Sequence, residues 1–465
     1  MRHLNKIVLF FCIWVLPQWV FAQDELVYDT FIEWVRSYHP LAKQADIRLD
    51  FGEQELRAAR GGFDPRVYAD LDRKRFKELD YYDKREAGIV VPTMAGVQLK
   101  GLVEQNRGVY LNPEGEVPGS GLYAVGATVN LGQGLFIDQR RAALRQAQLF
   151  LEATKWERQQ MLNDLYLEAT EAYWDWAAHY QNIRVLEEGV RFAQERFEMV
   201  KETYIQGDFP AIDTVEAYTQ VMDRTYRLQN AQIEYFRAAQ YVNTFLWDEE
   251  EQPVELLANV YPENVLQDML YDYSQEVLRE YVRSHPELQI ADFGIASLEI
   301  DRRFRADLLK PVLRVDYNFL SDSFAGLSPS PFLENNYKMG VYISTPLFLR
   351  RERGNLGVVK ARLDQRTYQR DLKAEQLRTK LESEIYSFET VMRQYQVFTN
   401  NVNGLERLLE GERTIFELGE SSLFLINARE VSLFTARLTL NTLAAKRRSA
   451  YAKMLNAAGL GFTDQ

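Results

Sequence analysis

Two periodicities alternate along this chain, and the whole alternation is written twice. Where every second residue is apolar, strands are expected. Over residues 123–131, Tyr123, Val125, Ala127, Val129 and Leu131 share one face, while Ala124, Gly126, Thr128 and Asn130 share the other. A counterpart opens at Tyr337, with Tyr337, Met339, Val341 and Ile343 opposed to Lys338, Gly340, Tyr342 and Ser344. Earlier segments pair with these. Pro65 leads into Val67, Ala69 and Leu71 against Tyr68, Asp70 and Asp72; Pro311 leads into Leu313, Val315, Tyr317 and Phe319 against Arg314, Asp316 and Asn318. One apolar and one polar face suits the inside of a soluble sandwich or the lipid face of a membrane barrel equally well.

Where apolar residues recur at 3-4 spacing, long helices are expected. Leu162, Leu165, Ala169, Ala172, Trp176, Ile183, Leu186, Val190, Ala193, Phe197, Val200 and Tyr204 form one seam. Shifted by 212 residues it becomes Ala374, Leu377, Leu381, Glu384, Phe388, Tyr395, Phe398, Val402, Leu405, Leu409, Glu412 and Phe416. Residues 138–204 hold no proline and only one interior glycine, Gly189. At a rise of 1.5 Å per residue such a helix is roughly 100 Å long. Each seam ends the same way, in Tyr204-Ile-Gln-Gly207 and Phe416-Glu-Leu-Gly419, where a shorter returning helix follows.

The reading by segments is a signal over 1–22, a first repeat over 23–247, a connector over 248–275, a second repeat over 276–459 and a tail over 460–465. The first repeat has strands near 65–76 and 121–132, a long helix over 138–204 and a returning helix over 210–247. The second has strands near 311–320 and 337–347, with helices over 349–416 and 421–456. The offset between copies is 246 at His39/His285 and Pro65/Pro311 but 214 at Tyr123/Tyr337, so the first copy carries about 32 extra residues within 74–121. That insertion reads as a long loop, and its alternating run at 97–103 is compatible with a hairpin.

Composition sets the address. Arg2 and Lys6, an apolar core over 7–15 and the small-residue site ending at Ala22 form a secretory signal that leaves Gln23 first. The only cysteine, Cys12, departs with it, so disulfides and thiol chemistry are not expected. Losing Arg2 and Lys6 moves the net charge from −12 to −14, which argues against nucleic acid. No later stretch has 18 consecutive apolar residues, which leaves β-strands free to cross a membrane. The two His-Pro pairs fit proline opening a helix better than metal binding. His-Glu-x-x-His is absent, and Gly132-Gln-Gly134 lacks the third glycine of a dinucleotide loop.

Taken together, the duplicated tips, the strands and the junctions Gly132-Gln-Gly-Leu-Phe and Thr345-Pro-Leu-Phe resemble the TolC family of outer-membrane efflux proteins. The resemblance covers nearly the whole mature chain. It implies a mainly α protein with a membrane β-barrel contribution: long coiled-coil helices forming a periplasmic α-barrel, plus about four transmembrane strands per protomer, 12 in a homotrimer. It implies a duct in the outer membrane, set among outer-membrane lipid, fed by a periplasmic adaptor and an inner-membrane pump. No enzyme activity and no cofactor or metal are expected.

Family members gate and dock at the helix tips, which here carry Tyr204, Gly207, Asp213, Glu216, Phe416, Gly419, Glu420 and Ser421. The family's acidic pair six and nine positions after the second glycine is replaced by Leu425 and Ala428, while the first copy has Asp213 and Glu216 there. Glu417, Glu420 and Glu430 are further acids that could make the entrance negative. Thr128, Asn130, Arg314, Asp316, Lys338 and Ser344 would line a barrel lumen. Two rival readings are a secreted coiled-coil scaffold of the periplasm, which accounts for the helices and leaves the matched strands unexplained, and a periplasmic enzyme, for which the sequence supplies no catalytic constellation.

Overall fold

A computed structural model describes residues 25–208, 210–268, 271, 273–324 and 336–461. The signal segment over 1–22, Gln23 and the last four residues lie outside them. The chain forms two compact units, one from residues 1–39, 168–270 and 389–450 and one from residues 40–167, 271–388 and 451–465.

In chain order the elements begin with β1 (Glu25–Leu26), α1 (Tyr28–Tyr38) and α2 (Pro40–Gly61). A run of strands follows: β2 (Arg66–Phe76), β3 (Leu79–Pro92), β4 (Val97–Arg107) and β5 (Leu122–Asn130). Next come α3 (Gln139–Gln206), α4 (Ala211–Asn243), β6 (Tyr261–Pro262), α5 (Gln275–Tyr281) and α6 (Pro286–Asp307). The chain continues through β7 (Val312–Ser321) and β8 (Tyr337–Ser344) into α7 (Arg350–Glu417) and α8 (Leu423–Ala457). The long helices α3 and α7 have 68 residues each. Their seams are buried as the 3-4 spacing requires: Leu165, Ala169, Trp176, Ala193 and Val200 on α3, and Leu377, Leu381, Phe388, Val402 and Leu409 on α7.

The second unit holds one antiparallel sheet in the order β2-β3-β4-β5-β7-β8. The four expected strands are all in it. The sheet has six strands where about four were expected, because the insertion over 74–121 supplies β3 and β4. Its tight β2–β3 connection places Lys77 and Glu78 at φ 51° and 62°. Positive φ at both central residues is what a two-residue hairpin of the I′ type demands. These are not glycine or asparagine, so the turn carried no recognisable sequence signal.

Each unit packs its own core. In the first, Phe31, Val35, Tyr173, Trp174, Trp176 and Leu246 are buried, and the Trp34 Nε1–H donates to the Trp247 carbonyl at 2.5 Å. There β1 pairs in parallel with β6, a strand in the segment read as a connector with at most a short helix. In the second, Leu56, Leu144 and Ala147 cluster between α2 and α3. Pro40 and Pro286 open α2 and α6. The His285 Nδ1 accepts the Glu287 N–H at 3.2 Å as a helix cap, and burial lowers the pKa of both His39 and His285.

Candidate functional site

The two tips are built alike. Both glycines that close the long helices sit in the left-handed region, Gly207 at φ +92° and Gly419 at φ +78°. Gly207 N–H donates to the Tyr204 carbonyl at 3.0 Å and Asp208 N–H to that of Thr203 at 3.1 Å. In the second copy Gly419 N–H donates to Phe416 at 2.9 Å and Glu420 N–H to Ile415 at 3.1 Å. This is the Schellman pattern, which satisfies carbonyls left over at a helix C-terminus and needs a residue free to adopt positive φ.

Side chains distinguish the tips. Phe416 packs on a cluster of Val402, Leu409, Ile426 and Leu433, whereas Tyr204 is exposed. Ser421 Oγ donates to the Glu412 carboxylate at 2.5 Å, which with Arg429 holds that acid below its ordinary pKa. Asp213 and Glu216 lie half-buried on α4, where Glu216 accepts a 3.4 Å bond from Asn427 Nδ2. Glu420 and Glu417 are exposed.

Glu430 does not face an entrance. Its side chain is fully buried, and arginines from three other helices converge on it: Arg196 of α3 in the shortest contact, Arg224 of α4 at 2.7 Å and Arg413 of α7 at 3.0 Å. The cause is packing. Glu430 lies on the inward side of α8, between buried Ile426 and Leu433, and a buried carboxylate there must be paired. Burial raises its pKa, but the hydrogen bonds and charges of Arg196 and Arg224 outweigh that and hold it below the usual range. Arg224 also donates to the Gly189 carbonyl at 2.9 Å and lies over the Phe434 ring. The lone glycine of the long helix thus sits where a ring and a guanidinium press against the backbone. Sequence reading missed this knot of four helices. Its one local trace is an acid inside the apolar run of α8.

On the sheet, direct pairing puts residues opposite one another on a common face. Thr128 pairs with Asp316 and Asn130 with Arg314 across β5–β7; Arg314 pairs with Tyr342 and Asn318 with Lys338 across β7–β8. Thr128 Oγ1 donates to Asp316 at 2.5 Å, and Arg314 lies 3.2 Å from the same carboxylate. Ser344 lies on this polar face two positions beyond Tyr342. On the other face Val125, Val129, Val315 and Val341 align. That face continues across the inserted strands through Leu99 and Ile89 to Val67 and Leu71. Val67 is 80% exposed, Leu71 67%, Val341 56% and Leu99 48%.

Among the described residues no group of His, Cys, Asp and Glu could hold a metal, and no helix is long and apolar enough to cross a membrane. No known family profile and no curated protein matches the sequence. Solved structures do match. The outer membrane protein VceC from the bacterial pathogen Vibrio cholerae aligns over 94% of this chain and 96% of its own, with a TM-score of 0.65 and 14% identity. A membrane protein from Pseudomonas aeruginosa aligns over 93% and 90%, with a TM-score of 0.67 and 14% identity. The Campylobacter jejuni CmeC outer membrane channel aligns over 94% and 87%, with a TM-score of 0.63 and 12% identity. The chain has the TolC-like channel fold, a helical part joined to a β domain.

Proposed function

We propose that this chain is an outer-membrane channel subunit. Its assembled copies form the duct of a tripartite efflux or type I secretion system, carrying substrate from a periplasmic adaptor and an inner-membrane pump to the exterior. The observation that carries this reading is the uncovered apolar face of a sheet whose other face is charged and polar. In water such a face is a liability that proteins cover. In a bilayer it is what a barrel needs, apolar towards lipid and polar towards the lumen. Thr128, Asn130, Arg314, Asp316, Lys338 and Ser344 then line the lumen. The TolC-like fold supports the same reading.

Assembly follows from two unfinished surfaces. The outer edges of β2 and β8 are unpaired among the described residues, and open edges are not tolerated in hydrocarbon. On α4, Ile212, Val215, Met222, Tyr226, Ile233 and Phe236 follow coiled-coil spacing and are exposed. On α7, Val397, Leu408 and Ile415 are exposed in the same way, with Gly404 and Gly411 between them and Leu418 just past its end. Other copies of the chain satisfy both. The fold resemblance makes the number three.

The tips carry docking and gating in this reading. Gly207 and Gly419 set the blunt turn that an adaptor would grip, flanked by Phe416, Glu420 and Ser421. Tyr204 and Asp213, with Glu216, stand where neighbouring copies would close the tunnel. An acidic ring on the second copy is not part of it, since Leu425 and Ala428 replace the acids and Glu430 is neutralised inside the protomer. The test is extraction and conductance. The protein is expected to leave the membrane only in detergent, to run unheated as a homotrimer, and to conduct in planar bilayers. Recovery from the soluble periplasm, or monomer alone after cross-linking in intact membranes, overturns it.

A further inference from the structure

We infer that the inserted hairpin is part of the membrane wall, so that three copies close a barrel of eighteen strands, six from each chain, by pairing β2 of one copy with β8 of the next. This rests on the channel reading above and goes beyond it, because the expected barrel has twelve.

The inserted strands have the dimensions of spanning strands. A transmembrane strand needs about 9–11 residues. The strands β3 and β4 have 14 and 11, no shorter than β5 with 9, β7 with 10 or β8 with 8. They are not a small cap on a four-stranded sheet. They lie between β2 and β5 and are bonded along their length to both.

Register supplies a second, independent argument. Arg66, Val90, Lys100, Gly126, Asn318 and Lys338 lie directly opposite one another in one row across the six strands. Below that row β2 has no further residue, β3 runs on to Pro92, β4 starts at Val97, β5 ends at Asn130, β7 starts at Val312 and β8 ends at Ser344. The strand ends therefore descend by six residues from β2 to β7 and stay level from β7 to β8, six over the whole sheet. Six residues of about 3.3 Å against five interstrand steps of about 4.8 Å correspond to a tilt of roughly 40°, within the tilt of membrane barrels.

The apolar band descends with the ends. On β2 it occupies positions 67–71, above the row, and on β8 positions 337–343, mostly below it. The bands of β3 and β4, through Ile89 and Leu99, fall between these two. A hairpin outside the wall would have no reason to keep its apolar residues on the drifting line of its neighbours. At the upper margin of the band stand Tyr123, Phe319 and Tyr337, and on the inserted side Arg73, Arg85 and Arg107. Aromatic and charged residues at the edge of an apolar band are what a membrane interface selects.

The consequence is a wider mouth. Eighteen strands spaced about 4.8 Å apart and tilted about 40° enclose a wall about 36 Å across, against about 24 Å for twelve. Walls of 16–18 strands leave an aqueous channel rather than a lumen filled by side chains.

The experiment uses the full chain, whose only cysteine is Cys12 in the signal segment. Single variants Leu99→Cys and Lys100→Cys place a thiol on opposite faces of β4. Double variants pair Ala69→Cys of β2 with Val341→Cys or Ile343→Cys of β8. In detergent-extracted trimers returned to lipid, Lys100→Cys is expected to react with a membrane-impermeant maleimide. Leu99→Cys is expected not to react, and a fluorophore placed there should be quenched by brominated lipid. One of the double variants is expected to form a disulfide between copies. If the disulfide forms while Leu99→Cys reacts as readily as Lys100→Cys, the hairpin stands outside the wall. The inference is then overturned and the channel reading survives. If no disulfide forms and the protein is soluble without detergent, the channel reading fails and takes the inference with it.

Discussion

The two copies of the repeat share their helices, down to the turn that ends the long one, and differ in the sheet and in one buried charge. Gly207 and Gly419 adopt the same left-handed turn with the same pair of backbone bonds, 212 residues apart. The first copy gives the sheet four strands and the second gives it two. The second copy buries Glu430 under three arginines, and the equivalent position of the first is Tyr218, half exposed. A turn that depends on one backbone angle tolerates no drift. A sheet can gain a hairpin whenever both new strands keep the alternation and the register of their neighbours.

The largest effect is expected where the copies differ most. Glu430→Gln leaves Arg196 and Arg224 buried without a counter-charge, which should cost about 3–5 kcal/mol. Tyr218→Gln should change little, since it removes no buried charge. Thermal unfolding in detergent compares the two; equal losses would mean the knot contributes nothing special. The same knot predicts a pH dependence. The carboxyl of Glu430 is held below its ordinary value of 4.5, so its contribution is complete above that value and is lost as pH falls through the lowered one. Stability of the wild type should fall faster below about pH 4.5 than that of the glutamine variant.

The next largest effect separates the two sheet faces in both copies. Val125→Arg and Val341→Arg near mid-strand should each cost about 2–4 kcal/mol and remove the heat-labile oligomer from unheated gels. Thr128→Arg and Ser344→Arg, on the polar face, should leave it in place. Equal tolerance on both faces would contradict a lipid-facing sheet in either copy.

The tips should respond alike to loss of their glycines, because their backbone turns are alike. Gly207→Val and Gly419→Val each force a branched side chain into the left-handed region, at a cost of about 1–2 kcal/mol or more. Each is expected to abolish cross-linking to the adaptor while the trimer persists. If only one does so, the adaptor reads a single copy. Smallest of all should be the loss of Tyr204 and Asp213 together. The double alanine variant should assemble normally and show raised single-channel conductance. Conductance like the wild type would remove those residues from the gate.

Residue patterns alone determined the elements that depend on neighbours close in the chain. The 3-4 seam from Leu162 to Tyr204 names the buried side of α3, because a helix carries positions three and four apart to one face. The alternation at Tyr123 and Tyr337 separates the sheet faces for the same local reason, and a glycine after a long helix marks its left-handed end. Tertiary structure decided what joins distant segments. It set β5 beside β7 across 188 residues, drew Arg196, Arg224 and Arg413 onto Glu430, and paired β1 with a segment that read as a plain connector. It also made the insertion a continuous part of the sheet, where its sequence read as a loop with a hairpin in it. No periodicity encodes these outcomes. Partner choice between elements is fixed by the burial and register of the whole fold, which a single stretch of sequence does not contain.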